Sequence, residues 1–114
     1  MPFVRIETNR ELSDVMVDEK MNGLSAFVAE LMGKPEKYVM ISIEAKKSLV
    51  FGGTGDPAAF VTFLSIGLPA DRCAELSSAL CNHMEQELDI PKDRIYIDFQ
   101  DAARDRLGWN GGTF

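Results

Sequence analysis

Apolar and polar residues follow one another along this chain in a strand, helix, strand order that occurs twice. Over Phe3 to Thr8, Val4 and Ile6 fall on one side and Arg5 and Glu7 on the other, the period-two pattern of a half-buried strand. From about Asp14 to Met32, Val17, Met21, Leu24, Val28 and Leu31 recur at steps of 4, 3, 4 and 3, which predicts an amphipathic helix. Gly33 can adopt the left-handed conformation that closes a helix, and Pro35 cannot continue one. Tyr38 to Glu44 alternates again, with Val39, Ile41 and Ile43 inward, and predicts a second strand.

Lys46-Lys47 predicts a turn, Leu49 to Phe51 a short extension, and Gly52 to Pro57 a loop. Its glycines lack the GxxxxGK[ST] spacing of a phosphate cradle and precede a strand instead of following one, so the loop reads as a plain turn. Ala58 to Ile66 is apolar on both faces, as in a strand covered from both sides. A second helix after Pro69 carries Cys73, Leu76, Leu80, Met84 and Leu88 and stops before Pro91. Arg94 to Phe99 then alternates with Ile95, Ile97 and Phe99 inward.

Sliding the chain by 56 residues places Pro35 on Pro91, and Val39, Ile41 and Ile43 on Ile95, Ile97 and Phe99. Phe3 to Thr8 falls on Ala59 to Leu64 in the same shift. The pattern predicts an α+β fold in one domain over residues 1–114, with pseudo-repeats at about 2–57 and 58–114. Two β-α-β units would form a four-stranded sheet with two helices on one face. The opposite face would carry Met40, Tyr96 and one side of the 58–66 strand beside Arg5, Glu7 and Asp98. That mixture is too apolar to leave wet and too polar for a monomer core, so burial against identical copies is expected, with a cyclic homotrimer as the natural closure.

Composition narrows the function classes. With 18 acidic and 12 basic side chains and a formal charge of −6, the chain has no basic stripe to displace counterions, so no nucleic acid is expected as a partner. The longest apolar stretch, Ala58 to Leu64, spans seven residues and includes Thr62, far short of the roughly 20 that cross a bilayer, so no membrane insertion is expected. The start Met1-Pro2-Phe3-Val4-Arg5 lacks the features of a signal peptide, and a cytoplasmic location is the default. Cys73 and Cys81 lie eight apart on one predicted helix, about 12 Å along its axis, and read as reduced thiols. No Cys/His spacing for zinc is present, so no metal is expected. The one histidine, His83, reads as a packing or surface residue.

Candidate chemistry begins at the second position. Methionine before a small residue is normally excised, which would leave Pro2 with a free secondary amine. Among apolar groups or near a cation such an amine loses its proton more readily and approaches the range of a general base. Read singly, Lys34, Tyr96, Trp109 and Phe114 have ordinary explanations: a solvated cation at a helix end, packing residues and a terminus.

Together these residues fit a known pattern. Met1-Pro2-Phe3, Gly33-Lys34-Pro35 with Tyr38, Phe51-Gly52-Gly53 with Pro57, Ser65-Ile66-Gly67, Asp93-Arg94-Ile95-Tyr96-Ile97 and Gly108-Trp109-Asn110 with Thr113-Phe114 run from the first residue to the last. In this the chain resembles the macrophage migration inhibitory factor family of the tautomerase superfamily. The resemblance implies a homotrimer and a keto–enol tautomerase of aromatic α-keto acids of the phenylpyruvate or dopachrome type, with no cofactor. It implies Pro2 as the catalytic base, Lys34 on the substrate carboxylate, and the Ile66 backbone offering its N–H to a substrate oxygen. Tyr38, Tyr96, Leu107, Trp109 and Phe114 would form the walls, with Tyr96 supplied by a neighbouring subunit.

Two positions depart from the pattern. Pro57-Ala58-Ala59-Phe60 stands where some members have CxxC, so thiol–disulfide exchange is not expected. Asp98 stands at the pocket rim where the best-known members have a neutral asparagine, and a carboxylate there would raise the Pro2 pKa and repel a substrate carboxylate. The resemblance also carries an alternative role, a cytokine-like ligand for a host cell-surface receptor, exported without a signal peptide and retaining the pocket. A third reading is a regulatory module that binds a small molecule without turnover.

Overall fold

The computed structural model describes residues 1–114. Strand β1 (Phe3–Thr8), helix α1 (Asp14–Met32) and strand β2 (Met40–Glu44) form the first unit; strand β3 (Ala59–Ile66), helix α2 (Cys73–Leu88) and strand β4 (Ile95–Ala102) form the second. The sheet order is β2-β1-β3-β4. Each repeat pairs its own two strands in parallel, and β1 joins β3 antiparallel, with Phe3 opposite Leu64 and Thr8 opposite Ala59. The mixed four-stranded sheet and its two helices are those the repeat predicts.

The alternation sets what is buried. Val4, Ile6, Val61 and Phe63 point to the face that α1 and α2 cover, where they join Leu24, Val28, Leu76, Leu80 and Met84 in one core. The hydroxyl of Thr8, also fully buried, donates to the carbonyl of Ala58 at 2.7 Å, so this polar group is not left unpaired. Four strand ends differ from the sequence expectation, the first being the start of β4 at Ile95, since Arg94 closes a 3₁₀ turn by donating its N–H to the Pro91 carbonyl. Tyr38 closes a 3₁₀ turn by donating its N–H to the Pro35 carbonyl at 3.1 Å, so β2 begins at Met40. Strand β3 starts at Ala59, one residue late. Strand β4 runs to Ala102, because its parallel pairing carries Asp101 and Ala102 alongside Ser65 and Ile66.

Helix α1 is closed at both ends by its own sequence. The Ser13 hydroxyl accepts the Met16 N–H at 3.2 Å. At the other end Gly33 sits at φ 62°, its N–H donates to Glu30 at 3.2 Å, and the Lys34 N–H donates to Ala29 at 3.0 Å. This is the two-bond closure that a left-handed residue makes possible, and it fixes the backbone of Lys34. The 51–57 loop is held from the second repeat. Arg94 donates from its guanidinium to the carbonyls of Phe51, Thr54, Asp56 and Pro57 at 2.9 to 3.2 Å.

The face of the sheet away from the helices carries Met40, Phe60 and Tyr96, with Met40 65% and Tyr96 63% exposed, beside Arg5, Thr62 and Asp98. Arg5 Nε is buried there without a hydrogen-bond partner. No helix is long and apolar enough to cross a membrane. Cys73 and Cys81 are both free thiols, and Cys81 is buried.

Candidate functional site

The closure of α1 delivers Lys34 to the C-terminal end of β3. Its Nζ donates to the carbonyl of Ile66 at 3.1 Å. Gly67, at φ 67°, turns the chain immediately afterwards, and Asp101 accepts the Leu68 N–H at 3.0 Å to hold that turn. Lys34 and Ile66, 32 positions apart, are thereby locked together.

The N-terminus lies at the same end of the sheet. Pro2 is buried, and its carbonyl accepts the Met40 N–H at 2.9 Å, tying it to the start of β2. Met1 stands over it. Partial burial, and secondarily the charge of Lys34, hold the Met1 ammonium pKa below its ordinary value.

The C-terminal segment supplies the aromatic wall. A 3₁₀ turn over Arg104–Arg106 leads into a hairpin of β5 (Gly108–Trp109) and β6 (Gly112–Thr113). Asn110 and Gly111, at φ 52° and 78°, form its two-residue turn, a geometry that Asn-Gly favours. The Phe114 N–H donates to Leu107 at 3.1 Å, so the last residue is anchored. Trp109 and Phe114 stack at 5.5 Å, and Tyr38 meets them edge-on at 5.4 and 6.0 Å.

A cavity of about 380 Å³ opens between these parts, lined by Met1, Lys34, Tyr38, Ile66, Arg104, Trp109, Thr113 and Phe114. A second cavity of about 360 Å³ shares Met1, Tyr38, Trp109 and Phe114 and adds Pro2 and Leu107. The structure thus gathers Pro2, Lys34, Tyr38, Ile66, Leu107, Trp109 and Phe114 around one adjoining pair of cavities. Such a volume is at the small end of the roughly 300–1,000 Å³ typical of ligand sites.

Tyr96 and Asp98 line neither cavity. Tyr96 packs on Phe51 at 4.8 Å, in a separate apolar hollow with Leu49, Val50 and Phe60. Asp98 is exposed and accepts a hydrogen bond from Gln100 Nε2 at 2.8 Å. Both stand on the uncovered sheet face. His83 lies far in sequence from the site residues, stacked on Phe27 at 4.3 Å. No three His, Cys, Asp or Glu side chains converge in a way that could hold a metal. Of the lining residues, Arg104 belongs to no motif read from the sequence, and Thr113 belongs to one without a site role assigned to it. The Asn110-Gly111 pair was the available signal for the hairpin that carries Thr113, whereas nothing local marks Arg104.

Comparison with known proteins identifies the family. The family model for macrophage migration inhibitory factor matches residues 1–114. The chain is 40% identical over 115 residues to a macrophage migration inhibitory factor homolog of Trichinella spiralis, covering the whole of both. It is 34% identical to the macrophage migration inhibitory factor of Xenopus tropicalis, covering 100% of this chain and 99% of the other. Among solved structures it is similar to a macrophage migration inhibitory factor homologue from Prochlorococcus marinus, with TM-score 0.90, 41% identity and 98% of each chain covered. On its full length, its fold and the residues at its candidate site, the chain belongs to the macrophage migration inhibitory factor family.

Proposed function

We propose that this protein is a cofactor-independent keto–enol tautomerase of aromatic α-keto acids, with the Pro2 nitrogen as general base after removal of Met1. The observation that carries the reading is the environment of the N-terminus, where Pro2 is buried beside an aromatic-walled cavity, and where burial and the charge of Lys34 already lower the pKa of the Met1 ammonium next to it. A secondary amine in that place is neutral nearer physiological pH and able to accept a proton.

In the reaction the Pro2 nitrogen takes a proton from the carbon next to the carbonyl. The electron pair of that C–H bond becomes the enol double bond, and the protonated Pro2 nitrogen returns the same proton to the carbonyl oxygen, which leaves the amine neutral for the next cycle. Lys34 has three N–H donors and spends one on Ile66, which leaves two for the substrate carboxylate. Tyr38, Trp109, Phe114 and Leu107 hold the ring, and the Ile66 backbone lines the floor. The homotrimer completes the site by bringing Tyr96 of a neighbouring subunit to the opening. Asp98 at the same rim keeps the Pro2 pKa higher than a neutral residue would.

The test is insertion of one alanine between Met1 and Pro2, with the mass of the purified parent first confirming loss of Met1. The insertion turns the Pro2 amine into an amide. We expect phenylpyruvate turnover to be lost while the sedimentation mass stays at three times 12.6 kDa. An inserted variant that converts phenylpyruvate as fast as the parent removes Pro2 as the base.

A further inference from the structure

Among the side chains that line the cavity over the N-terminus, two are cationic and none is acidic. Lys34 and Arg104 both line it, and none of its other lining residues carries an acidic side chain. This is unusual in a chain of net charge −6, where acids outnumber bases. The ion pairs of the molecule are Lys20–Glu87, Lys47–Glu7, Lys47–Glu44 and Arg72–Glu75, and they leave both cavity cations out. Asp101, three positions before Arg104, is committed to the Leu68 N–H at 3.0 Å. Lys34 is bonded only to the neutral carbonyl of Ile66.

Arg104 is positioned by its backbone. It opens the 3₁₀ turn between β4 and the hairpin, where the Arg106 N–H donates to Ala103 at 3.0 Å. The same turn leads to Trp109, so the guanidinium and the aromatic wall share one anchor.

We propose that Arg104 is a specificity residue that binds a second anionic group on the substrate, so that the preferred class is an aryl α-keto acid carrying a further carboxylate or comparable anion at the far end of its ring. This deepens the reading of Pro2 as base and rests on it. One substrate carboxylate satisfies one cation; two cationic side chains without an ion-pair partner, in a lining with no acidic side chain, match a dianion. The order of the two follows from where each cation is anchored. Lys34 is held on Ile66 at the end of the sheet where Pro2 lies, whereas Arg104 stands on the turn that leads to the Trp109 wall. The α-carboxylate, next to the reacting carbons, therefore belongs at Lys34, and the distal anion belongs at Arg104, whose planar fork accepts a carboxylate through two parallel bonds.

The test compares 4-carboxyphenylpyruvate with phenylpyruvate as kcat/KM ratios. We expect the parent to favour the carboxylated acid about tenfold, Arg104→Gln to lower the ratio about tenfold, and Arg106→Gln, on the same turn but outside the cavity, to leave it unchanged. A ratio near one in the parent, or the same loss in both variants, overturns the proposal. Calorimetric binding of 4-carboxyphenylacetate against phenylacetate makes the same comparison without chemistry. A preference for the dianion that depends on Arg104, found without turnover of either keto acid, sinks Pro2 as base while sustaining the anion pair. Its absence overturns the anion pair whatever the turnover.

Discussion

Lys34 Nζ donates to the carbonyl of Ile66 at 3.1 Å, joining the residue after the first helix to the last residue of the third strand. The contact is made possible by Gly33, whose φ of 62° ends α1 and sets the direction of the next residue. A non-glycine residue at that φ is strained, so the placement of the ammonium depends on a residue with no side chain.

Lys34→Ala removes both the carboxylate partner and a charge that disfavours the protonated amine. Charged hydrogen bonds contribute about 1.5–3 kcal/mol, so we expect kcat/KM for phenylpyruvate to fall roughly 10- to 100-fold, mostly through KM. If Lys34 lowers the pKa of the Pro2 amine as it does that of the Met1 ammonium, the acid limb of the pH profile should move to higher pH in the variant, because an amine freed from a nearby cation holds its proton more tightly. A fall in kcat/KM with KM unchanged would place the carboxylate elsewhere.

The same dependence on neighbours explains what was legible in the sequence. Helix α1 was readable, because its apolar stripe and the Gly33 and Pro35 that end it are all local signals. The end of β4 was not, since Asp101 and Ala102 are strand residues only through their pairing with Ser65 and Ile66. Pro2, Lys34, Ile66 and Trp109 could be named from family motifs, but their convergence is a product of the sheet order. Arg104 carries no periodicity and no capping role, so only the cavity it lines reveals it. The hairpin of β5 and β6 lay within reach, for Asn110-Gly111 is a strong turn signal in its own right.

His83 makes stability depend on pH apart from the site. Its ring stacks on Phe27 at 4.3 Å and borders a small polar cavity with Lys20, Glu19 and Glu87. Burial lowers its pKa; Glu87 opposes the shift and Lys20 adds to it. The folded state therefore binds this proton less readily than the unfolded chain, whose histidine titrates near about 6.5. The resulting contribution is full above that pH and is lost as pH falls through it toward the lower folded value. We expect the urea midpoint to drop between pH 7.5 and 5.5, a window above the range in which Glu87 titrates, and His83→Gln to flatten that drop. An equal slope in the variant would assign the proton uptake to another group.

The last expectation concerns whether one chain can complete its own site. Tyr96 is 63% exposed on the bare sheet face, in contact with Phe51, and lines a different cavity from Pro2 and Lys34. An aromatic ring left this open gains from burial, and about 25 cal/mol per Å² of apolar surface favours covering it together with Met40 and Phe60. If a neighbouring subunit covers it, Tyr96 of one chain and Pro2 of another share a site, and two separately defective variants should complement each other. Tyr96→Ala and the alanine insertion before Pro2 are each expected to lose most phenylpyruvate turnover as homo-oligomers. Mixed, unfolded and refolded together, they should regain activity, because some assemblies place an intact Pro2 against an intact Tyr96. Such recovery requires the two residues to act from different chains. If refolding yields mixed trimers by native mass spectrometry and no activity returns, each chain completes its own site, and Tyr96 must reach Pro2 by a rearrangement within the subunit.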